Sequence, residues 1–319
     1  MLQQTTVAAV IPYFERFLAA FPTLADLARA DEQDVLRLWA GLGYYRRARH
    51  LHRAARILVE NHGGGLPDEP DVWRGLPGVG RYILGAVLSQ AFDRRLPIVE
   101  ANSQRVLCRL FGRRGDPARE PTKSWLWRKA SELIPARRAG DFNQALMELG
   151  ALVCTPANPK CDQCPLADVC RARRDGSQDR IPAKPTRRST IDVRSVAVVI
   201  RKRGRVLLAQ RRADARRWAG FWEFPQIDAR PDESTAATGR RLLRSCGIAA
   251  ELGRELLTVR HGVTHHRITL TAIGAAWQAG RFQSEAYQRA NWLRPGELGE
   301  YPAGSAQKRV MGTVVNREC

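Results

Sequence analysis

Four cysteines carry the strongest chemical signal in the sequence. Cys154, Cys161, Cys164 and Cys170 follow the spacing C-x6-C-x2-C-x5-C. Four thiolates in so short a loop can close around one metal ion or cluster. Zinc usually takes two close cysteine pairs, and here only Cys161 and Cys164 are so close. A cuboidal iron–sulfur cluster tolerates looser spacing, so the pattern favours iron–sulfur over zinc. Cys108, Cys246 and Cys319 fall outside it. A second signal is Leu76-Pro77-Gly78-Val79-Gly80, just before an apolar stretch. Its glycines permit a tight turn and leave backbone N–H groups uncovered. At a helix N-terminus such groups suit an anion, here a DNA phosphate.

These motifs need elements to hold them. Val7, Val10, Ile11, Phe14, Phe17 and Leu18 recur at helical spacing. Helices are predicted over about 34–39 and 46–59, the second stopping before Gly63-Gly64-Gly65. Residues 83–92 are almost wholly apolar, as a buried central helix would be. Phe142, Ala145, Leu146, Leu149, Leu152 and Val153 predict one amphipathic helix that delivers the chain into Cys154. Residues 171–190, rich in Arg, Asp, Ser and Pro, read as a linker stiffened by Pro182 and Pro185. Beyond it the period changes. Strands are predicted over 193–200 and 206–209, joined by a turn at Arg203-Gly204, with a third over 267–273 and a helix over 234–245. The second half is therefore a smaller α+β domain.

Composition narrows the function classes. With 52 Lys plus Arg against 32 Asp plus Glu, the net charge is +20, which points to a polyanionic partner such as nucleic acid. The 319 residues suggest two domains, and 44% hydrophobic residues provide cores. No apolar run approaches the ~18 residues that span a bilayer. Met1-Leu2-Gln3-Gln4-Thr5 shows no signal peptide, so a cytoplasmic, nucleoid-associated location and no membrane partner are expected. Seven cysteines without an export signal argue for metal or free thiols over disulfides.

A helix–hairpin–helix followed by this four-cysteine loop resembles the endonuclease III superfamily of DNA glycosylases. Within it, Met1-Leu2-Gln3-Gln4-Thr5, Gly41-Leu42-Gly43-Tyr44-Tyr45 and a C-terminal domain resemble the MutY-type adenine DNA glycosylases. The resemblance implies a multi-domain fold: an all-α helix–hairpin–helix glycosylase domain (1–153), an iron–sulfur loop (154–170), a linker (171–190) and an α+β Nudix-like domain (191–319). It implies a 4Fe-4S cluster on Cys154, Cys161, Cys164 and Cys170. The implied partner is double-stranded DNA containing A:8-oxoguanine or A:G mispairs, bound by a monomer.

Residue roles follow from the same resemblance. Gln3, Gln4 and Tyr44 stand where the family wedges side chains into the duplex, filling the gap an extruded base leaves. Leu76, Gly78, Val79 and Gly80 form the DNA-binding hairpin. Tyr82 occupies the place of the lysine nucleophile of bifunctional relatives, and a phenol cannot form a Schiff base. This sets aside an endonuclease III-like glycosylase/lyase. Pro97-Ile98-Val99-Glu100-Ala101-Asn102 matches the segment that carries a catalytic aspartate, then Gly, then Asn. Here Glu100 supplies the carboxylate, one methylene longer, and Asn102 orients the site. A carboxylate lowers the barrier to breaking an N-glycosidic bond because the sugar becomes positive.

The family also carries a glutamate just upstream of M-L-Q-Q-T, which protonates adenine. This sequence begins at the methionine of that motif, so Met1 is expected to be internal to a longer protein. As it stands, the chain is expected to bind the mispair and release adenine poorly, with non-catalytic lesion binding as the alternative. In the C-terminal domain, residues 207–212 and 218–225 fit the Nudix-like pattern. The helix that holds acids for Mg²⁺ in hydrolases reads Arg240-Arg241-Leu242-Leu243-Arg244-Ser245, so nucleotide hydrolysis is not expected. Val263-Thr264-His265 matches the Phe-Ser-His loop that contacts oxidised guanine, with Thr264 and His265 as the contacts.

Overall fold

The computed structural model describes residues 1–183, 189–215, 217–263 and 265–316. The chain divides into two compact units, Met1–Val59 with Arg188–Cys319, and Glu60–Arg187.

The first unit opens with three helices, α1 (Val7–Ala20), α2 (Leu24–Arg29) and α3 (Glu32–Trp39), and the start of α4 (Arg46–His62). Thr23 begins α2 with a reciprocal capping box to Asp26, and the Asp31 carboxylate caps α3. Val10 and Phe17 of α1 bury against Val35, Leu36 and Trp39 of α3. Val7, Ile11, Phe14 and Leu18, which share the predicted apolar spacing, remain exposed. The helix α4 runs three residues beyond the predicted end and stops at Gly63 (φ +60°).

The same unit holds a seven-stranded sheet: β1 (Ile191–Lys202), β2 (Arg205–Arg211), β3 (Trp222–Glu223), β4 (Gln226–Asp228), β5 (Ile248–Val263), β6 (His266–Gly280) and β7 (Tyr287–Leu293). The order is β3-β2-β1-β6-β5, with β4 pairing β1 and β7 pairing β2. The predicted turn at Arg203-Gly204 has positive φ at both positions, the twist that suits a two-residue hairpin. Strand β1 is apolar on both faces because both are covered. Val196, Val198 and Ile200 pack toward α11 (Thr235–Ser245), and Ala197 and Val199 toward α12 (Ser305–Asn316). Helix α11 starts at Ser234, whose hydroxyl accepts from the Ala237 N–H.

The second unit contains the end of α4 and helices α5 (Pro70–Gly75), α6 (Arg81–Phe92), α7 (Ala101–Phe111), α8 (Thr122–Leu133), α9 (Ala139–Glu148) and α10 (Arg171–Arg174). The segment over 83–92 is helical but not buried all round. Leu84, Gly85, Leu88 and Ser89 form one buried face. The single helix predicted over 142–153 is two elements, because after Glu148 the chain widens into one π-turn, Leu149–Val153. Gly150 there lies against Asn102, where a Cβ would come within 2.6 Å of the Asn102 Cβ.

The described part of the segment read as a linker is packed instead. Ala172 and Ile181 join the core of Val106, Leu107, Leu126 and Leu146. Two small apolar residues anchor an otherwise polar run, which composition alone does not register. Pro185 lies outside the described residues.

Candidate active site and DNA-contact elements

The hairpin and the candidate carboxylate sit on neighbouring elements of the second unit. Leu76 ends α5, and Gly80 is the N-cap of α6 with no side chain capping it. Gly78 has φ +79°, which a side chain would strain. The turn closes through the Val79 N–H to the Leu76 carbonyl at 3.2 Å. Gly78 and Gly80 are exposed and Val79 half-buried, so the turn that opens α6 lies at the surface. Leu76 is different. Its side chain is 4% exposed, so it anchors the turn from inside and makes no surface contact of its own. A cavity of about 570 Å³ beside the turn is lined by Val79, Gly80, Arg81, Arg95, Pro97 and Ile134, among others. The Arg81 guanidinium stacks on Trp127 at 3.9 Å, and Arg95 Nε donates to the Ile134 carbonyl at 3.0 Å.

Glu100 is the N-cap of α7. Its carboxylate accepts from the Asn102 N–H at 2.8 Å and the Ser103 N–H at 2.7 Å, while Ser103 Oγ accepts from the Glu100 N–H. The extra methylene relative to aspartate is taken up in this capping box. Glu100 is half-buried, and its charge reaches Tyr82 at the start of α6. Burial first, then that charge, raises the Tyr82 phenol above its ordinary value. The Tyr82 hydroxyl lies 3.8 Å from Met147 Sδ on α9. Glu100 therefore lies close enough to Tyr82 for its charge to be felt there.

Asn102 faces the other way along α7. Its Oδ1 accepts from Arg105 Nη2 at 2.8 Å. Arg105 also donates to the carbonyls of Cys154 (2.7 Å) and Gly150 (2.6 Å). One turn later Arg109, 3% exposed, donates to Cys154 Sγ at 3.3 Å and to the Thr155 and Ile181 carbonyls. Both arginines escaped sequence reading, since in a chain with 52 basic residues an arginine by itself signals nothing. Their spacing, one helical turn apart just after a candidate carboxylate, is the cue that was available.

The four cysteines occupy one loop, with Cys161–Gln163 as a 3-10 turn. All four are free thiols. Burial first, then the neighbouring Cys154, Cys170 and Cys164, raises the Cys161 thiol above its ordinary value. Among the described residues no three His, Cys, Asp or Glu side chains stand in a metal-holding arrangement. The donor set, four thiols of one loop with a guanidinium at Cys154, is chemically that of an anionic thiolate centre. Cys108 is buried outside it, its thiol pushed up to about 11 by burial.

In the first unit, Gln3 and Gln4 are exposed, and Gln4 has φ +57°. Tyr44, also left-handed at φ +48°, is 55% exposed. One side chain collects both segments. Arg47 donates to the carbonyls of Met1 (2.5 Å), Gln3 and Gly43 (3.1 Å) and to Thr5 Oγ1 (3.1 Å), and lies over the Tyr44 ring at 5.4 Å. Arg47 was likewise missed. Thr264 lies outside the described residues. His265 is half-buried, its ring 4.1 Å from that of His266.

Residues 1–132 match the HhH-GPD superfamily of base excision DNA repair proteins. Residues 154–170 match the iron–sulfur binding domain of endonuclease III, and 195–313 a NUDIX domain. The adenine DNA glycosylase of Homo sapiens is 35% identical over 97% of this chain and 66% of its own length. That of Mus musculus is 35% identical over 97% of this chain and 69% of its own. Among solved structures, a thermostable thymine-DNA glycosylase is 29% identical over 55% of this chain and 80% of its own, with a TM-score of 0.49. The chain belongs to the adenine DNA glycosylase family of base excision repair proteins, and it spans about two thirds of the length of these curated relatives.

Proposed function

We propose that this chain acts on double-stranded DNA in which adenine is mispaired with 8-oxoguanine or guanine, and hydrolyses the N-glycosidic bond of the flipped adenosine. The observation that carries the reading is the pair Glu100–Tyr82: a half-buried carboxylate at a helix N-terminus beside a phenol where a lyase would need an amine. The α6 turn holds the sugar–phosphate backbone through its open N–H groups. Gln4 and Tyr44 fill the gap in the stack. As the bond from C1′ to the adenine nitrogen breaks, Glu100 stabilises the positive charge on the sugar, water adds its oxygen to C1′, and the proton that water gives up ends on the departing adenine. The phenol forms no imine, so the strand is left intact.

We assign 1–153 to the glycosylase domain, 154–170 to the cysteine loop and 191–319 to the Nudix-like domain, with 171–190 as a connection whose described part packs on the helices. Cys154, Cys161, Cys164 and Cys170 would hold a 4Fe-4S cluster, which when bound ties the loop into a rigid anionic centre next to Arg109. A monomer without a membrane partner, working on chromosomal DNA in the cytoplasm, completes the reading. No helix among the described residues is long and apolar enough to cross a membrane.

A second reading, lesion binding without excision, is favoured by one observation. Both Glu100 oxygens already accept N–H groups of α7, so in this reading the carboxylate caps its own helix and takes no part in chemistry. Single-turnover adenine release and equilibrium binding on duplexes with A opposite 8-oxoguanine, G or T separate the two. Release confined to the first two duplexes supports excision. Tight, selective binding without release supports the second reading, and no selectivity in either assay refutes both.

A further inference from the structure

Inside the first unit, α4 is tied to the β domain by one buried cation. Arg49 donates through Nη2 to the carbonyl of Ala219, in the loop between β2 and β3. Its Nε lies 3.0 Å from Glu32 Oε1, close enough for an ion pair but not aligned as a hydrogen bond. The Arg49 side chain is 13% exposed, so this bracing takes place largely out of water. Gly220 follows, and a Cβ there would come within 2.3 Å of Arg49 Nη2, so the loop backbone lies directly on the guanidinium. Alongside, the Tyr45 and Phe221 rings lie 4.2 Å apart, and Trp222 Nε1 donates to Gln33 Oε1 at 3.1 Å.

The other side of the same loop meets the strand that ends at Val263. The Trp218 ring, on a left-handed residue (φ +50°), lies 5.9 Å from that of His261 on β5. Among the described residues, neither of the buried His261 nitrogens has a hydrogen-bond partner. An imidazole without a hydrogen bond takes its position from what packs against it, and the Trp218 ring is one such neighbour. His261 pairs across the hairpin with Ile268, and Val263 with His266, so the strand end moves as one piece with the ring.

We infer that Arg49 is a positioning residue for lesion recognition: by bracing the β2–β3 loop on α4 it holds Trp218 against His261 and so fixes the end of β5, where the reading segment begins. The inference rests on the proposed mispair reading. It makes the intercalating turn at Tyr44 and the guanine-reading strand parts of one frame, since Tyr45, against Phe221, leads directly into α4, which carries Arg49. Removing the brace leaves base contacts and phosphate contacts in place but lets the reading strand drift. Selectivity falls before general affinity does.

The test compares the full chain with its Arg49→Met, Arg49→Lys and Trp218→Leu variants. Affinities are measured for one duplex with A opposite 8-oxoguanine and for the same duplex with A opposite T. Loss of one buried charge-assisted hydrogen bond predicts that Arg49→Met lowers the ratio of the two affinities about tenfold. The affinity for the A:T duplex should stay unchanged, while the unfolding temperature of the free chain falls by only a few degrees. Arg49→Lys, which keeps one donor, retains most of the ratio. Trp218→Leu lowers it from the other end of the path, and the double variant is no worse than either single. A wild-type preference that survives both substitutions overturns the inference alone, as does an equal loss on both duplexes. A wild-type chain with no preference overturns the functional reading and the inference with it.

Discussion

Glu100 shows how one side chain serves fold and chemistry together. Its oxygens accept the first free N–H groups of α7, so the helix orients the carboxylate and the carboxylate starts the helix. Substituting Glu100→Gln keeps one acceptor oxygen and the length, and removes the charge. Adenine release should fall by about 10²- to 10³-fold, the usual cost of losing one electrostatic contact to a transition state. Affinity for the mispaired duplex should persist, because the reading strand and the hairpin are untouched. Rapid-quench release and equilibrium binding on the same duplex check this. A Glu100→Gln variant as fast as wild type would remove the carboxylate from the mechanism.

Elements meet where side chains are missing. The π-turn Leu149–Val153 approaches α7 because Gly150 has no Cβ, and the Asn102 backbone carbon would lie 2.9 Å from one. That neighbour is backbone and cannot swing aside. Gly150→Ala should therefore destabilise the second unit by about 1–3 kcal/mol and loosen Arg105, which bonds the Gly150 carbonyl. Thermal unfolding of the two proteins measures it. In the β domain the Arg241 side chain and the Arg230 N–H hold the Glu233 carboxyl at about 2, below its ordinary 4.5. A carboxyl whose folded value is depressed contributes stability above its ordinary value and loses it as pH falls toward the folded one. Unfolding followed between pH 4.5 and about 2 should thus show an acid limb that Glu233→Gln flattens. An unchanged limb would assign the acid sensitivity to other groups.

Elements also set how much was legible in the sequence. The hairpin, the cysteine loop and the Tyr44 turn are local patterns, and each lies where its residues predict. Strand β1 was legible for a similar reason, because a run apolar on both faces stands out. Strand β5 was not. Its register against β6 shifts between Ala249 and Ala250 and again near Glu255, which breaks the period of two that marks a strand. The roles of Arg47, Arg49, Arg105 and Arg109 were not legible because they depend on carbonyls that folding brings close: Met1 and Gln3 for Arg47, Ala219 for Arg49, Cys154 for Arg105, and Thr155 and Ile181 for Arg109.

At the scale of the whole molecule the excess of 52 basic over 32 acidic residues becomes a solution property. Each cation that neutralises a phosphate releases counterions, so affinity falls with a log–log slope of about −0.9 per phosphate contact. A protein with six or more such contacts loses about 10³-fold between roughly 50 and 200 mM salt. Reading a base edge releases no counterions. The two contributions therefore separate in one experiment. Titrating the mispaired and the fully paired duplex over that salt range should give parallel, steep lines, with their vertical separation, the selectivity, nearly constant. Converging lines would mean that recognition of the mispair is itself carried by charge, and a flat response would mean that the net charge of +20 serves something other than DNA.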